Sequence, residues 1–374
     1  MPDPTPAYLS LMANRQPITA SGATHTRYQA VPHYTEGLYD LGRDSYAWLV
    51  PNGSWGESNA GLIVGDGASL LVDTLWDLPY TRAMLAALEP LLRNAPLHTV
   101  VNTHADGDHF WGNLLVSQAD IITSEASYRE MLVTQPRTML LLGNVGRALS
   151  LLRLFGAAKV GHWFQQMVRP YDFAGVVHFP AKRTFTGELT LDVGGRAVHL
   201  IEVGPAHTQG DLMVHVPDAR LLYAADILFI GSTPVMWAGP VENWLAALDH
   251  ILALDVDLIV PGHGPLTDKE GVRLVKGYWE YVQKEVTERY QAGLSPRAAA
   301  RDILLAPDYA RQPFADWDSP ERLLTSTHTL YRHLQGRTDH PKPPELLNIM
   351  RQQALLAHER PHAAPAVMRR RGQA

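Results

Sequence analysis

The chain has 374 residues, 46% of them hydrophobic, and a formal net charge of −6. A chain of this size can bury a large core, and its acidic balance excludes the basic footprint of a nucleic-acid binder. It has no cysteine and 17 histidines, which excludes disulfides and thiolate metal sites and leaves His, Asp and Glu to hold any metal.

Residues 1–25 are polar and Pro-rich and read as an N-terminal arm. They lack the basic and apolar regions of a signal peptide, so a cytoplasmic location is expected. One domain is expected over residues 26–265. Its first part, "SYAWLVPN", "NAGLIVGDGASLLVDT" and "LHTVVNTH", consists of β-branched and apolar runs cut by turn residues, the pattern of strands. The "GDG" in the middle reads as a hairpin turn. Between these strands, "PYTRAMLAALEPLLRN" places apolar residues at 84, 85, 88, 91 and 92, a helical spacing. A strand, helix and strand followed by a polar cluster is the α/β pattern, in which ligands gather at the carboxyl ends of strands.

Residues from about 127 to 180 read as a Leu-rich helical insertion carrying Phe155 and Trp163. Strand patterning returns in "RTFTGELTLDVGGRAVHLIEVG" and "LMVHVPDARLLYAADILF". The helix "NWLAALDHILAL" and the strand "DLIVPGHGP" follow. A charged helical extension is expected over 266–360 and a disordered tail over 361–374. The longest apolar stretch, 139–158, is broken by Asn144, Arg147 and Arg153, so no membrane span is expected.

The chemistry concentrates in "THADGDH", directly behind the apolar run "LHTVV". Residues two apart on an extended or turned loop share a side, so His104, Asp106 and Asp108 converge while His109 faces the neighbouring side. That arrangement offers ligands to two adjacent metals. A "DGD" alone would be an ordinary polar turn with capping aspartates; two flanking histidines behind a buried strand argue otherwise. His207 in "GPAHTQGD", Asp226 in "YAAD" and His263 in "VPGHG" each follow an apolar run. Each is thereby expected at a strand end, beside small residues (Ala206, Gly262, Gly264) that permit close approach.

These pieces, with the earlier "LLVDT" that carries Asp73, resemble the metallo-β-lactamase-fold hydrolase superfamily, in the family's order from about residue 60 to 265. The resemblance implies an αββα sandwich with a dinuclear metal site at one edge. It also implies that His104, Asp106 and His207 hold a first metal. Asp108, His109 and His263 would hold a second, with Asp226 bridging the two. Asp73 would support the motif loop by hydrogen bonding. One position departs from the family's H-x-H-x-D-H motif: Asp106 stands where the middle histidine is usual. Zinc accepts oxygen ligands, while a carboxylate also suits manganese or iron.

Two such ions would deliver hydroxide at neutral pH, with Asp108 orienting it and moving a proton. The expected function is hydrolysis of an ester, thioester, lactone or lactam on an apolar organic molecule, a small-molecule or acyl-thioester substrate. Trp111, Trp163 and Trp237 are candidate substrate contacts. A di-iron redox enzyme and a non-catalytic binding protein are the alternatives. Glu57, Asn59 and Asn113 are weaker candidates for facing the site or bracing it.

Overall fold

The structure is a computed structural model that describes residues 7–152, 156–359 and 368. The first half runs β1 (Thr19–Ala20), β2 (Gly37–Gly42), β3 (Ser45–Leu49), β4 (Ala60–Gly65), β5 (Ala68–Val72), α1 (Leu78–Leu92), β6 (Leu97–Val101) and the short α2 (Gly107–Phe110). It continues through β7 (Asp120–Ser124), α3 (Glu125–Met131), α4 (Arg137–Ser150) and α5 (Ala157–Val168). The second half runs β8 (Arg183–Phe185), β9 (Glu188–Val193), β10 (Arg196–Glu202), β11 (Leu212–Val216), β12 (Leu221–Phe229), α6 (Val241–Ala253) and β13 (Leu258–His263). Four longer helices close the chain: α7 (Lys269–Gln291), α8 (Pro296–Leu305), α9 (Leu323–Leu334) and α10 (Pro343–Ala357).

The strands form an eight-stranded sheet in the order β1 to β8 and a five-stranded sheet in the order β13-β12-β11-β10-β9. The two-residue alternation of each strand divides its side chains between layers. Leu70 and Val72 of β5 meet Val198, Leu200, Val214 and Tyr223 between the sheets. Leu71 faces outward into a cluster with Met84 and Leu88 of α1 and with Trp163 and Phe164 of α5. In β12, Leu221 and Tyr223 face inward, while Leu222 and Ala224 pack outward with α6 and α7. The result is helix, sheet, sheet, helix: the expected αββα sandwich.

The expected hairpin is present: β4 and β5 pair antiparallel across Asp66 and Gly67. Residues 7–20 of the N-terminal stretch pack onto the body instead of projecting from it. Leu9 and Met12 are buried between the sheets, and β1 pairs with β2. In the insertion, α4 and α5 pack against each other, and α10 of the extension lies on α5. Phe155, and the expected tail apart from Met368, lie outside the described residues. Among the described residues no helix is long and apolar enough to cross a membrane.

Candidate metal centre

The site lies where β5, β6, β12 and β13 deliver loops to one edge of the sandwich. His104 follows β6, His109 sits in α2, and His263 is the last residue of β13. His207 lies in the loop between β10 and β11. Asp226 is a correction: it does not end its strand but lies inside β12, three residues before Phe229. The pairing of β12 with β13 shifts register around Ala225, whose φ is +47°. Such an irregularity re-aims the next side chain. The carboxylate reaches so close to β13 that a Cβ at Gly262 would lie 1.9 Å from Asp226 Oδ1. That contact is why the sequence needs glycine before His263.

Each imidazole is fixed by a partner outside the site. His109 Nδ1 donates to Asp73 Oδ2 at 2.9 Å. His104 Nδ1 donates to Thr103 Oγ1 at 3.0 Å, and that hydroxyl donates to Asp73 Oδ2 at 2.7 Å. His207 Nδ1 donates to the Val235 carbonyl at 2.7 Å, and His263 Nδ1 to the Glu57 carbonyl at 3.1 Å. With all four Nδ1 atoms held by partners outside the site, all four Nε2 atoms turn inward, where a bound cation would take their lone pairs.

The inward atoms converge on Asp226. Its Oδ1 is 3.2 Å from His109 Nε2, and its Oδ2 is 3.3, 3.4 and 3.8 Å from Nε2 of His207, His263 and His104. Asp106 Oδ2 lies 3.1 Å from His207 Nε2, and Asp108 Oδ2 lies 3.4 Å from His263 Nε2. The ligand atoms of His104, Asp106 and His207 lie within 4.8 Å of one another. Those of Asp108, His109 and His263 do so too, as do those of His104, His109 and Asp226.

The donor set fits a pair of cations. His104 Nε2, His109 Nε2 and Asp226 Oδ1 are buried with no hydrogen-bond partner. Leaving such groups unpaired costs about 1–3 kcal/mol each. In the absence of a cation the imidazoles and carboxylates shift one another. Burial raises Asp226, but His263, His109 and His104 together hold it well below the usual carboxylate range. Burial lowers His207, yet the Asp106 hydrogen bond and the Asp226 charge push it up to about 10. Burial and the neighbouring His109 push His104 down to about 3.

The three tryptophans separate. Trp111 is buried and stacks on Trp76 at 6.5 Å, and Trp163 is fully buried, edge-on to Trp55 at 5.9 Å. Both are core side chains. Trp237 alone touches the ligand set, donating from Nε1 to Asp106 Oδ2 at 3.1 Å. The weaker polar candidates are braces. Asn59 Nδ2 donates to the carbonyls of Pro261 and Gly264 on either side of His263. Asn113 exchanges hydrogen bonds with Asn102, which donates to the His109 carbonyl.

Two contacts had no signal in the sequence. Glu130 Oε2 accepts the Gln209 N–H at 3.0 Å, two residues from His207, and burial pushes its carboxyl up to about 7. Arg322 is buried with its guanidinium 4.5 Å from the Trp55 ring and 5.8 Å from the Phe229 ring. Phe229 in turn stacks on His263 at 5.0 Å and 3°, so the C-terminal extension reaches the ligand set through two ring contacts.

Residues 53–263 match the model of the metallo-beta-lactamase superfamily. The chain belongs to the metallo-beta-lactamase superfamily. Among curated relatives, the 2,4-dinitroanisole O-demethylase subunit alpha of Nocardioides sp. (strain JS1661) is 26% identical over 251 residues, covering 65% of this chain and 60% of that protein. The linear primary-alkylsulfatase of Pseudomonas sp. (strain ATCC 19151) is 26% identical over 262 residues, covering 64% of this chain and 49% of that protein. The aligned part of this chain therefore spans only about half to three-fifths of those relatives, 49% and 60%. The solved stereoselective inverting sec-alkylsulfatase Pisa1 from Pseudomonas sp. aligns with 91% of this superfamily member and 57% of its own chain, at 14% identity and a TM-score of 0.56. That likeness shows the shared fold.

Proposed function

We infer that this chain is a metal-dependent hydrolase holding two divalent ions, with zinc the expected metal. The observation that carries the reading is the set of four outward-tethered imidazoles whose Nε2 atoms converge on Asp226, with three of the converging atoms buried and unpartnered. His104, Asp106 and His207 would hold one ion, Asp108, His109 and His263 the other, and Asp226 would serve both. Two bound divalent ions supply an acidified water and polarise the scissile group. The protein's own part is positioning. Asp108, whose side chain is 13% exposed against 4% for Asp226, lies toward the open side. There it orients the attacking water and passes its proton to the leaving group. Trp237 holds Asp106 and presents an apolar ring at the same rim.

The proposed substrate is an ester, thioester, lactone or lactam on an apolar organic group. Alkyl sulfates and aryl methyl ethers, the compounds in the relatives' names, belong in the same panel. A hydrolysis screen of these classes with metal-loaded protein tests the reading. Turnover of one class, lost in Asp226→Ala, is expected. No turnover of any class by protein that holds both ions contradicts it. A second reading, redox chemistry at two irons, draws support from the three carboxylates Asp106, Asp108 and Asp226, because carboxylates suit harder cations. Iron content and a visible absorption band distinguish it.

A further inference from the structure

The α4–α5 hairpin has one face that packs and one that does not. On the inner side the helices touch at backbone: a Cβ at Gly161 would lie 2.5 Å from the Gly146 carbonyl oxygen. On the outer side, Leu140, Leu141 and Val145 of α4 are 40, 63 and 38% exposed. Leu151, just past the helix, is 80% exposed, and Val133, just before it, is 76% exposed. Isolated exposed apolar residues need no explanation, but a contiguous run along one element marks an interaction surface.

Charge says what kind. From Met131 to Tyr171 the sequence has no Asp or Glu, while the whole chain carries −6. Arg137, Arg147, Lys159 and Arg169 are all exposed along this stretch. An exposed apolar helix face whose own charged residues, Arg137 and Arg147, are both basic is the pattern of an element that lies in the plane of a lipid interface. It argues against a second copy of the chain, because a two-fold contact through this face sets the same basic residues against each other. The face also begins at the site: Glu130, three residues before Val133, is tied to Gln209 beside His207.

We propose that the outer face of the α4–α5 hairpin docks the protein onto an anionic lipid surface, with the metal centre's His207 edge next to the interface. The test is co-sedimentation of the full, metal-loaded chain with vesicles of phosphatidylcholine alone or mixed with phosphatidylglycerol. Binding is expected to rise with phosphatidylglycerol and to fall with salt. Arg137→Gln and Arg147→Gln should each weaken it about 5-fold. The pair Leu141→Asp and Leu151→Asp should weaken it by about 10-fold or more, since two buried apolar side chains become charged. All four positions are exposed, and circular dichroism verifies that each variant stays folded. No sedimentation with phosphatidylglycerol vesicles at low salt overturns the proposal, as does binding that the substitutions leave unchanged. So does a dimer in solution that Leu141→Asp converts to monomer, which would make a second copy the occupant.

Discussion

Asp73 holds two of the clustered imidazoles, His109 directly and His104 through Thr103, and Asp73→Asn isolates that dependence with almost no change of shape. The carboxylate is buried and accepts three hydrogen bonds: the Thr103 N–H on Oδ1 at 2.7 Å, and the Thr103 hydroxyl and His109 Nδ1 on Oδ2 at 2.7 and 2.9 Å. An amide has one acceptor atom, so whichever way the substituted side chain turns, a donor faces a donor in a buried site. With the nitrogen at the Oδ2 position His109 loses its acceptor and the Thr103 hydroxyl loses its anchor; with the nitrogen at the Oδ1 position it opposes the Thr103 N–H and displaces the segment that carries His104 and His109. Losing an outer partner of a ligating histidine costs about 10–100-fold in metal affinity, or about 1.4–2.7 kcal/mol. In the proposed assignment His104 serves one ion and His109 the other, so both ions should weaken by that factor. Thr103→Val is the control. It removes only the hydroxyl between Asp73 and His104, so one ion should weaken by about 10–100-fold while the other stays near wild type. Chelator competition at fixed pH, resolved into two steps on folded protein, is the assay. Wild-type affinity for both ions in Asp73→Asn would rule out this bracing role of Asp73, as would equal weakening of both steps in Thr103→Val.

Two further outcomes follow from particular contacts. Asp106→His should keep metal binding and shift preference toward zinc, because imidazole replaces a carboxylate whose Oδ2 is shared between His207 and Trp237; unchanged zinc affinity, measured by competition, would remove Asp106 from the ligand set. Glu321 is fully buried, and burial pushes its carboxyl up to about 8. A raised carboxyl keeps its proton in the folded chain while the unfolded chain releases it. Its stabilising contribution is therefore full below about pH 4.3 and lost progressively as pH rises toward 8. Glu321→Gln should flatten that decline in denaturant unfolding, gaining on wild type between about pH 5 and 8; parallel pH curves for the two proteins would contradict it.

The strands and the seven clustered His and Asp positions were legible because each follows a local apolar run whose two-residue alternation is written in the sequence. Even there, the apolar run alone places Asp226 at a strand end, whereas the register shift at Ala225 depends on pairing with β13, far along the chain. The contacts that tune the site were not legible for the same reason. The Thr103 link between His104 and Asp73, the Trp237 bond to Asp106 and the reach of Arg322 to Phe229 all join residues brought together only by the folded sandwich. Trp111 and Trp163 show the limit from the other side. An aromatic ring in a Leu-rich segment has the same composition whether it lines a pocket or fills a core, and packing against Trp76 and Trp55 decided for the core.

His104, Asp106, Asp108, His109, His207, Asp226 and His263 are the residues proposed to hold two divalent ions. Elemental analysis of the purified chain, before and after loading with zinc, manganese and iron and exhaustive dialysis, tests this assignment most directly. Up to two ions per chain are expected after loading, and both should be lost in Asp226→Ala, whose carboxylate lies within 3.8 Å of all four imidazole Nε2 atoms. No retained metal in the wild-type protein under any loading, or undiminished metal in Asp226→Ala, would contradict it.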